Sequence, residues 1–423
     1  MPDYLQAPKP DILVAQLGAR RHYAVPIAFA SRTRLARFCT DFYVESEFAS
    51  WWLQQAGTRL GVSAFRRLAG RHAPGGLESA VVSSFWGFAL WQRLHRSVFA
   101  DAATQEENWI RLGQRFSSRC ASQLNNQTRG VYAFTSAALE LFLEARRRGI
   151  STWLDHATAP RSYEMALVAQ EAERYPGWAR AAVSAGQSSA YEARQQEELA
   201  LADIVICGST FAKRAVETLG TDSSRIRVVP LGFRAFLPKV ETGNIGARSG
   251  RSLNVLFAGG EGLRKGIGYL QQALARLGSF NIKAKAAGDL DLSEMALGVL
   301  ARDIELLGPV PRSEMTKLLH WADVLVLPSI SDTFGIVILE ALGHGVPVIA
   351  TDHTGAPDVL REGLDGFVVP VRSVDVIADR LERLALSPDL LASMKAHARQ
   401  RARDFDLEHY ARRLIAAVSG ENV

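Results

Sequence analysis

The chain is poor in cysteine: Cys39, Cys120 and Cys207 are the three among its 423 residues. They are odd in number, far apart and without CxxC spacing, so neither a disulfide framework nor a zinc cluster is expected, and a reducing cytosol is the simplest compartment. No run of eighteen apolar residues occurs, which argues against a membrane-spanning helix. The opening MPDYLQAPKPDILVAQLG lacks a charged region followed by an apolar stretch and a small-residue cleavage site, so no secretory leader is expected. Fixed-period repeats and low-complexity tracts are missing as well. No recognition motif accompanies the positive charge, which removes nucleic acid from the expected partners.

What is present is enough apolar sequence for more than one core: 48% of residues are hydrophobic and 22% charged, in a chain too long for an ordinary single domain. The net charge of +5 is unevenly placed. Residues 1–238 hold 28 Lys and Arg against 21 Asp and Glu, whereas residues 239–423 hold 21 against 23. The stretch from Arg59 to Arg96 gathers Arg59, Arg66, Arg67, Arg71, Arg93 and Arg96 around the single acid Glu78, interleaved with Phe65, Phe85, Trp86, Phe88 and Trp91. Two readings stand here: a face for an anionic membrane or anionic acceptor, at the inner membrane face, or an Arg-rich solvated surface over ordinary core aromatics.

Short apolar runs alternate with amphipathic stretches along the whole chain. Asp11 to Gly18, Val131 to Phe134, Ser151 to Leu154 and Asp203 to Cys207 read as strands, with a helix over Ser136 to Arg148. After Ser252 the same beat resumes through LNVLFAGG, NIKAKAAG, IELLG, DVLVLP and PVIATD. Between the two series, KVETGNIGARSGRS reads as a linker. Strands alternating with helices imply parallel sheets covered on both faces. The expectation is an α/β protein of two doubly wound, Rossmann-like domains facing each other across a cleft, where ligands sit at the carboxyl ends of the strands. Residues 1–238 form the first domain, 252–400 the second, and 401–423 a final helix that packs back on the first.

One stretch carries chemistry: PSISDTFGIVILEALGHGVP, Pro328 to Pro347. Here a strand ends in a loop bearing Asp332, and a helix follows. The free N–H groups and positive dipole end at the start of that helix suit a phosphate. Asp332 on the loop then faces whatever hangs from the phosphate, and Glu340, on the helix, is suited to the paired hydroxyls of a ribose. A sugar on one side of a diphosphate and a ribose on the other is a nucleotide-sugar.

On these residues the chain resembles the retaining family 4 glycosyltransferases of the GT-B fold, the glycosyl transferases group 1. Their hallmark is Glu or Asp, seven residues, then Glu, a small-residue turn and a Pro-Val strand, matched from Pro328 to Ile349. Phe257 to Leu270 resembles their phosphate loop, without the Gly-Lys-Ser/Thr ending of an NTPase. Ala202 to Phe211 and Val228 to Phe233 resemble the end of their first domain, and GAPDVLREGLDGFVVP the segment after the carboxylates. About half the chain is covered, mostly the donor half; residues 1–200 match only in pattern. The resemblance implies that Arg264 and Lys265 hold the diphosphate, that Gly259, Gly260 and Gly262 allow close backbone approach, and that Asp332 binds donor-sugar hydroxyls. Asp332 departs from the commoner Glu, and capping the next helix is its plainer role. Phe334, Gly335, Ile336 and Val337 supply amides at the helix start, and Glu340 binds the ribose. Val310 and Arg312 in Gly308-Pro-Val-Pro-Arg312 lie where the family's backbone touches the base, or form a plain turn. His156 matches a histidine near the transferred sugar, or is a satisfied loop histidine. Gly18 matches one glycine of a pair, and Arg20, Arg21, His22 and Tyr23 after it face donor or acceptor, or merely start a loop. Asp289-Leu-Asp291 imitates a metal motif but falls in a loop where a diphosphate already gripped by cations needs no divalent ion. The implied activity is a retaining, metal-independent sugar transfer from a UDP- or GDP-sugar to a glycan, a lipid-linked or a small-molecule acceptor, with no cofactor. A silent nucleotide-sugar-binding partner and a sugar-nucleotide epimerase are the alternatives.

Overall fold

The computed structural model describes residues 10–44, 46–59, 71, 77, 81–85, 102–180, 189–233 and 252–420. Arg66, Arg67, Arg93, Arg96, Glu78, Phe65, Trp86, Phe88 and Trp91 of the basic stretch lie outside these residues, as do most of the linker and the side chain of His22.

Seven strands form the first sheet: β1 (Ile12–Gln16), β2 (Leu35–Thr40), β3 (Val82–Ser84), β4 (Gly130–Phe134), β5 (Ser151–His156), β6 (Ile204–Cys207) and β7 (Ile226–Val228). Six form the second: β8 (Leu253–Ala258), β9 (Ile282–Ala287), β10 (Ile304–Gly308), β11 (Val324–Leu327), β12 (Val348–Thr351) and β13 (Gly366–Val369). The orders are β3-β2-β1-β4-β5-β6-β7 and β10-β9-β8-β11-β12-β13. Every pairing is parallel. Both sheets therefore reverse their winding between the first and fourth strands, β1/β4 and β8/β11, which opens a crevice at the carboxyl ends there. Strands buried on both faces need continuous apolar sequence, and β4 and β8 are buried at every position.

Strand and helix boundaries depart from the expected ones by one to three residues: the helix expected over Ser136 to Arg148 runs Leu139–Arg147. Near the C-terminus the helix Pro388–Ala402 carries the second domain past residue 400, and a tight turn at Arg403–Phe405 then redirects the chain. The last helix, Leu407–Ser419, is capped by Asp406, whose side chain accepts from the His409 amide. It lies on the first domain, with Tyr410, Ala411 and Leu414 in one core with Ile12, Val14 and Tyr132. A second bridge runs the other way: from helix Arg161–Arg174 and the segment after it, Leu167, Tyr175 and Trp178 pack against the second domain's core. Between these bridges, buried Glu171 accepts from the Tyr269 hydroxyl and from Arg372 Nε, both at 2.6 Å. Among the described residues no helix is long and apolar enough to cross a membrane.

Candidate functional site

The second domain brings its phosphate loop and carboxylate loop together because β8 and β11 are neighbours at the switch point. The Arg264 carbonyl accepts from the Ile330 amide at 2.9 Å, and Arg264 Nη1 donates to the Ser331 carbonyl at 2.8 Å. Lys265 Nζ pairs with Asp332 Oδ2. The other Asp332 oxygen accepts from the Gly335 amide at 3.0 Å, so this carboxylate caps the helix Ile336–Gly343 while it neutralises a lysine.

Arg264 is held by carboxylates from two directions, Glu261 beside it and Glu164 at 3.8 Å from the first domain. Glu164 also accepts from the Ser331 hydroxyl at 3.3 Å, and burial pushes its carboxyl above the usual range against the pull of Arg264. Nothing in the sequence around Glu164 marks it: it is one acid on an amphipathic helix, and only the facing of the domains sets it against Arg264.

Glu340 is half-buried in a helix whose neighbours Leu339 and Ala341 are fully buried. Burial raises its carboxyl above the ordinary value, with Arg312 pulling it back. No hydrogen bond from a described residue reaches that carboxylate. Arg312 begins the helix Arg312–Trp321 just after Val310, and its charge reaches Glu340. Phe334 is buried, Val337 half-buried and Ile336 exposed.

The glycine loop serves a neighbouring loop. The amides of Glu261 and Gly262 donate to the carbonyls of Asp289 and Leu290 at 2.9 and 2.6 Å, and a Cβ at Gly260 or Gly262 would come within 2.9 Å of Asp289 O or 2.7 Å of Leu292. Gly259 donates to Ala287 O at 2.9 Å. These glycines permit the close approach of Asp289 to Leu292, and Asp289 and Asp291 are loop-forming residues of that segment, Asp291 facing Arg180 at 3.6 Å. Among the described residues no three His, Cys, Asp or Glu side chains are grouped to hold a metal ion.

The first domain closes over the carboxylate loop. Thr333 Oγ1 donates to the Ala157 carbonyl at 2.9 Å, and Ser209 Oγ to the Thr333 carbonyl at 2.5 Å. His156, just before Ala157 at the end of β5, is completely buried; Nδ1 lies 2.6 Å from the Thr158 carbonyl and Nε2 has no partner among the described residues. Burial drives its pKa down to about 4, so the ring is neutral at physiological pH.

The residues after β1 divide. Arg21 is internal, its guanidinium 2.7 Å from Asp155, which also accepts from the Tyr132 hydroxyl at 2.6 Å; Tyr23 is buried against Phe38 and Tyr43. Both are packed inside the first domain, and neither lines the cavity beside them. Gly18 and Arg20 instead line a cavity of about 480 Å³ at the carboxyl ends of β1, β2 and β4, with Asp41, Arg71 and Arg161. Gly18 donates to Asp41 Oδ1 at 2.8 Å.

Residues 246–401 match the family of glycosyl transferases group 1. The C-terminal domain belongs to that family. Curated relatives align over the same kind of partial span. A D-inositol 3-phosphate glycosyltransferase of Corynebacterium urealyticum is 34% identical over 126 residues, 29% of this chain and 30% of the relative. A putative colanic acid biosynthesis glycosyltransferase of Salmonella typhimurium is 34% identical over 121 residues, 27% of this chain and 30% of the relative. A D-inositol 3-phosphate glycosyltransferase of Nocardia farcinica is 28% identical over 257 residues, 54% of this chain and 55% of the relative. The chain thus spans about 30% of the first two relatives' length. Several solved structures match almost end to end, among them the following two. Anabaena HepE in complex with UDP has a TM-score of 0.60 at 15% identity, covering 97% of this chain and 100% of that one. Sucrose-phosphate synthase from Thermosynechococcus elongatus has 0.64 at 15%, covering 98% and 99%. At that identity the likeness concerns the fold, and the fold is GT-B: two parallel-sheet, Rossmann-like domains facing a cleft.

Proposed function

We propose that this protein is a glycosyltransferase that moves a sugar from a nucleotide-sugar donor to an acceptor with retention of anomeric configuration. The observation that carries the reading is the cluster of Arg264, Lys265 and Asp332 at the β8/β11 switch point, with Glu340 on the following helix and His156 and Glu164 brought over it by the first domain. UDP is the favoured nucleotide, because HepE was solved with UDP, with UDP and glucose, and with UDP-glucose.

In this reading Arg264 and Lys265 exchange their carboxylate partners for the donor diphosphate and hold the negative charge that grows on it, an interaction strongest in the transition state. Glu340, whose carboxylate accepts no hydrogen bond from a described residue, accepts from the ribose hydroxyls. Asp332 and the neutral His156, whose Nε2 lacks a partner among the described residues, address sugar hydroxyls. Asp332 accepts from the Gly335 amide and in this reading addresses the sugar hydroxyls, which leaves it poorly placed as a nucleophile. Front-side displacement follows: the anomeric carbon–phosphate oxygen bond breaks while the acceptor oxygen bonds to that carbon on the same face. The acceptor proton passes to the departing phosphate oxygen, and the nucleoside diphosphate leaves. No divalent ion is needed for this step, and the cytoplasm supplies such donors.

The test is incubation of the purified chain with UDP-, GDP- and ADP-sugars, with and without EDTA, followed by NMR of released sugar or product. Slow release of free sugar and nucleoside diphosphate, EDTA-resistant and with the donor's anomeric configuration kept, is expected. Nucleotide binding without any turnover would make it a silent partner, and inverted product would refute the mechanism.

A further inference from the structure

We propose that His353 is a positioning residue of the transfer reaction: it sets Asp332 against the donor sugar by gripping the carboxylate loop at two points. This rests on the donor reading above and adds a residue that acts on the reaction through another side chain, without touching the substrate.

The loop from Ser329 to Phe334 follows β11 and is neither helix nor strand, so its backbone groups need partners from elsewhere. The turn that leaves β12 supplies most of them. Thr351 Oγ1 donates to the Ser329 carbonyl at 2.6 Å, His353 Nδ1 to the Ile330 carbonyl at 2.8 Å, and the Gly355 amide to the Phe334 carbonyl at 2.9 Å. Arg264 and Ser209 hold the carbonyls of Ser331 and Thr333. His353 differs from the others in gripping twice, because its own carbonyl also accepts from the Asp332 amide at 3.0 Å. Ile330 and Asp332, on either side of Ser331, are thus pinned to a single residue. Asp332 cannot shift relative to Gly335 and Lys265 without straining one of these bonds. A carbonyl can only accept, so Nδ1 carries the hydrogen and one tautomer is selected. The half-buried ring is held in that orientation from across the domain junction: it stacks on Phe211, with centroids 4.8 Å apart and planes at 27°. Phe211 is completely buried on the helix Thr210–Glu217 of the first domain, whose cap is the same Ser209 that holds Thr333. A side chain whose rotamer is locked by packing is what holds a reacting group to the precision that catalysis requires.

Three variants of the full-length chain separate positioning from a plain packing role. His353→Phe keeps the stack on Phe211 and removes the donor; His353→Gln keeps a polar amide but carries it where Nε2 was; His353→Asn carries its amide donor where Nδ1 was. Amide hydrogen exchange is followed by mass spectrometry over residues 329–335, and hydrolysis of UDP-glucose is measured beside the affinity for UDP alone. In His353→Phe and His353→Gln we expect exchange of that segment to quicken about tenfold. Turnover of UDP-glucose should fall about tenfold or more, since Asp332 is no longer held in place. Affinity for UDP alone should stay within about threefold of the parent, because Asp332 addresses the sugar and not the nucleotide. His353→Asn should recover most of the exchange protection and most of the turnover. If His353→Phe does not fold, His353→Gln reports in its place. Parent-like exchange in the variants, equal losses in turnover and UDP affinity, or the same deficit in His353→Asn as in His353→Gln would each overturn the proposal. UDP titrated on the parent tests the donor reading by itself. Exchange needs no ligand, so it still decides the role of His353 if UDP fails to bind, and the two failures are distinguishable.

Discussion

Gly266→Ala is the sharpest perturbation of the donor loop that leaves every charged group in place. Gly266 separates Lys265 from the helix Ile267–Arg276 and has φ +68°, a left-handed conformation. A Cβ there would lie 2.0 Å from the Pro328 carbonyl oxygen, and that contact must widen to about 3.0 Å or more. Pro328 directly follows β11 and opens the loop that carries Asp332, so a shift of about 1 Å is delivered to the site. Left-handed backbone costs a residue with a Cβ about 1–2 kcal/mol, and overpacking adds about 1–3 kcal/mol. The sum of about 2–5 kcal/mol lowers the melting temperature by on the order of 10 °C in a domain of this size. A misplacement of about 1 Å at reacting groups costs about a hundredfold in rate. Thermal melting and donor turnover, measured side by side, check both. Gly298→Ala is the control: it sits inside the helix Glu294–Leu300 with nothing within 4 Å of the added Cβ, and should gain about 0.5–1 kcal/mol. If Gly266→Ala melts and turns over like the parent, the packing of the phosphate loop on the β11 loop is not as described.

Glu340→Ala should weaken nucleotide binding about 10- to 100-fold, the loss of about 1.5–3 kcal/mol for hydrogen bonds to a charged group, whereas Lys265→Ala should lower turnover more than donor affinity; calorimetric Kd values set against kcat decide, and equal losses in Lys265→Ala count against its role. Glu171→Ala strands the Tyr269 hydroxyl and Arg372 across the domain junction and should cost about 3–5 kcal/mol in urea unfolding; a change under about 1 kcal/mol would show the latch to be idle. His156 titrates near 4 when folded against 6.5 when free, so the folded chain binds fewer protons between these values. Its contribution is complete above about 6.5 and declines as pH falls toward 4, by about 3 kcal/mol at about 1.4 per unit. His156→Gln should flatten that part of the stability profile, and an unchanged acid slope would mean that His156 takes up its proton without unfolding.

The sequence by itself determined the parallel double-domain architecture and the core of the candidate site. Continuous apolar strands can be stabilised only inside covered parallel sheets, and Asp332, the helix start and Glu340 lie on one loop and helix, so local spacing states their relation. The tertiary structure decided the rest, because it depends on side chains that meet across long separations. Glu164 meets Arg264 only where the two domains face each other, and the Glu171 latch joins a helix of one domain to a loop of the other. Asp332 was legible both as a cap and as a sugar ligand; that it pairs with Lys265 while accepting from the Gly335 amide was decided by the meeting of two loops. Arg20 and Arg21 are adjacent and chemically identical. Arg21 takes a left-handed backbone, φ +51°, and turns inward onto Asp155, while Arg20 lies over the Phe134 ring on the wall of the cavity. Sequence order cannot separate such neighbours, because which guanidinium finds a carboxylate depends on where the sheet places that carboxylate.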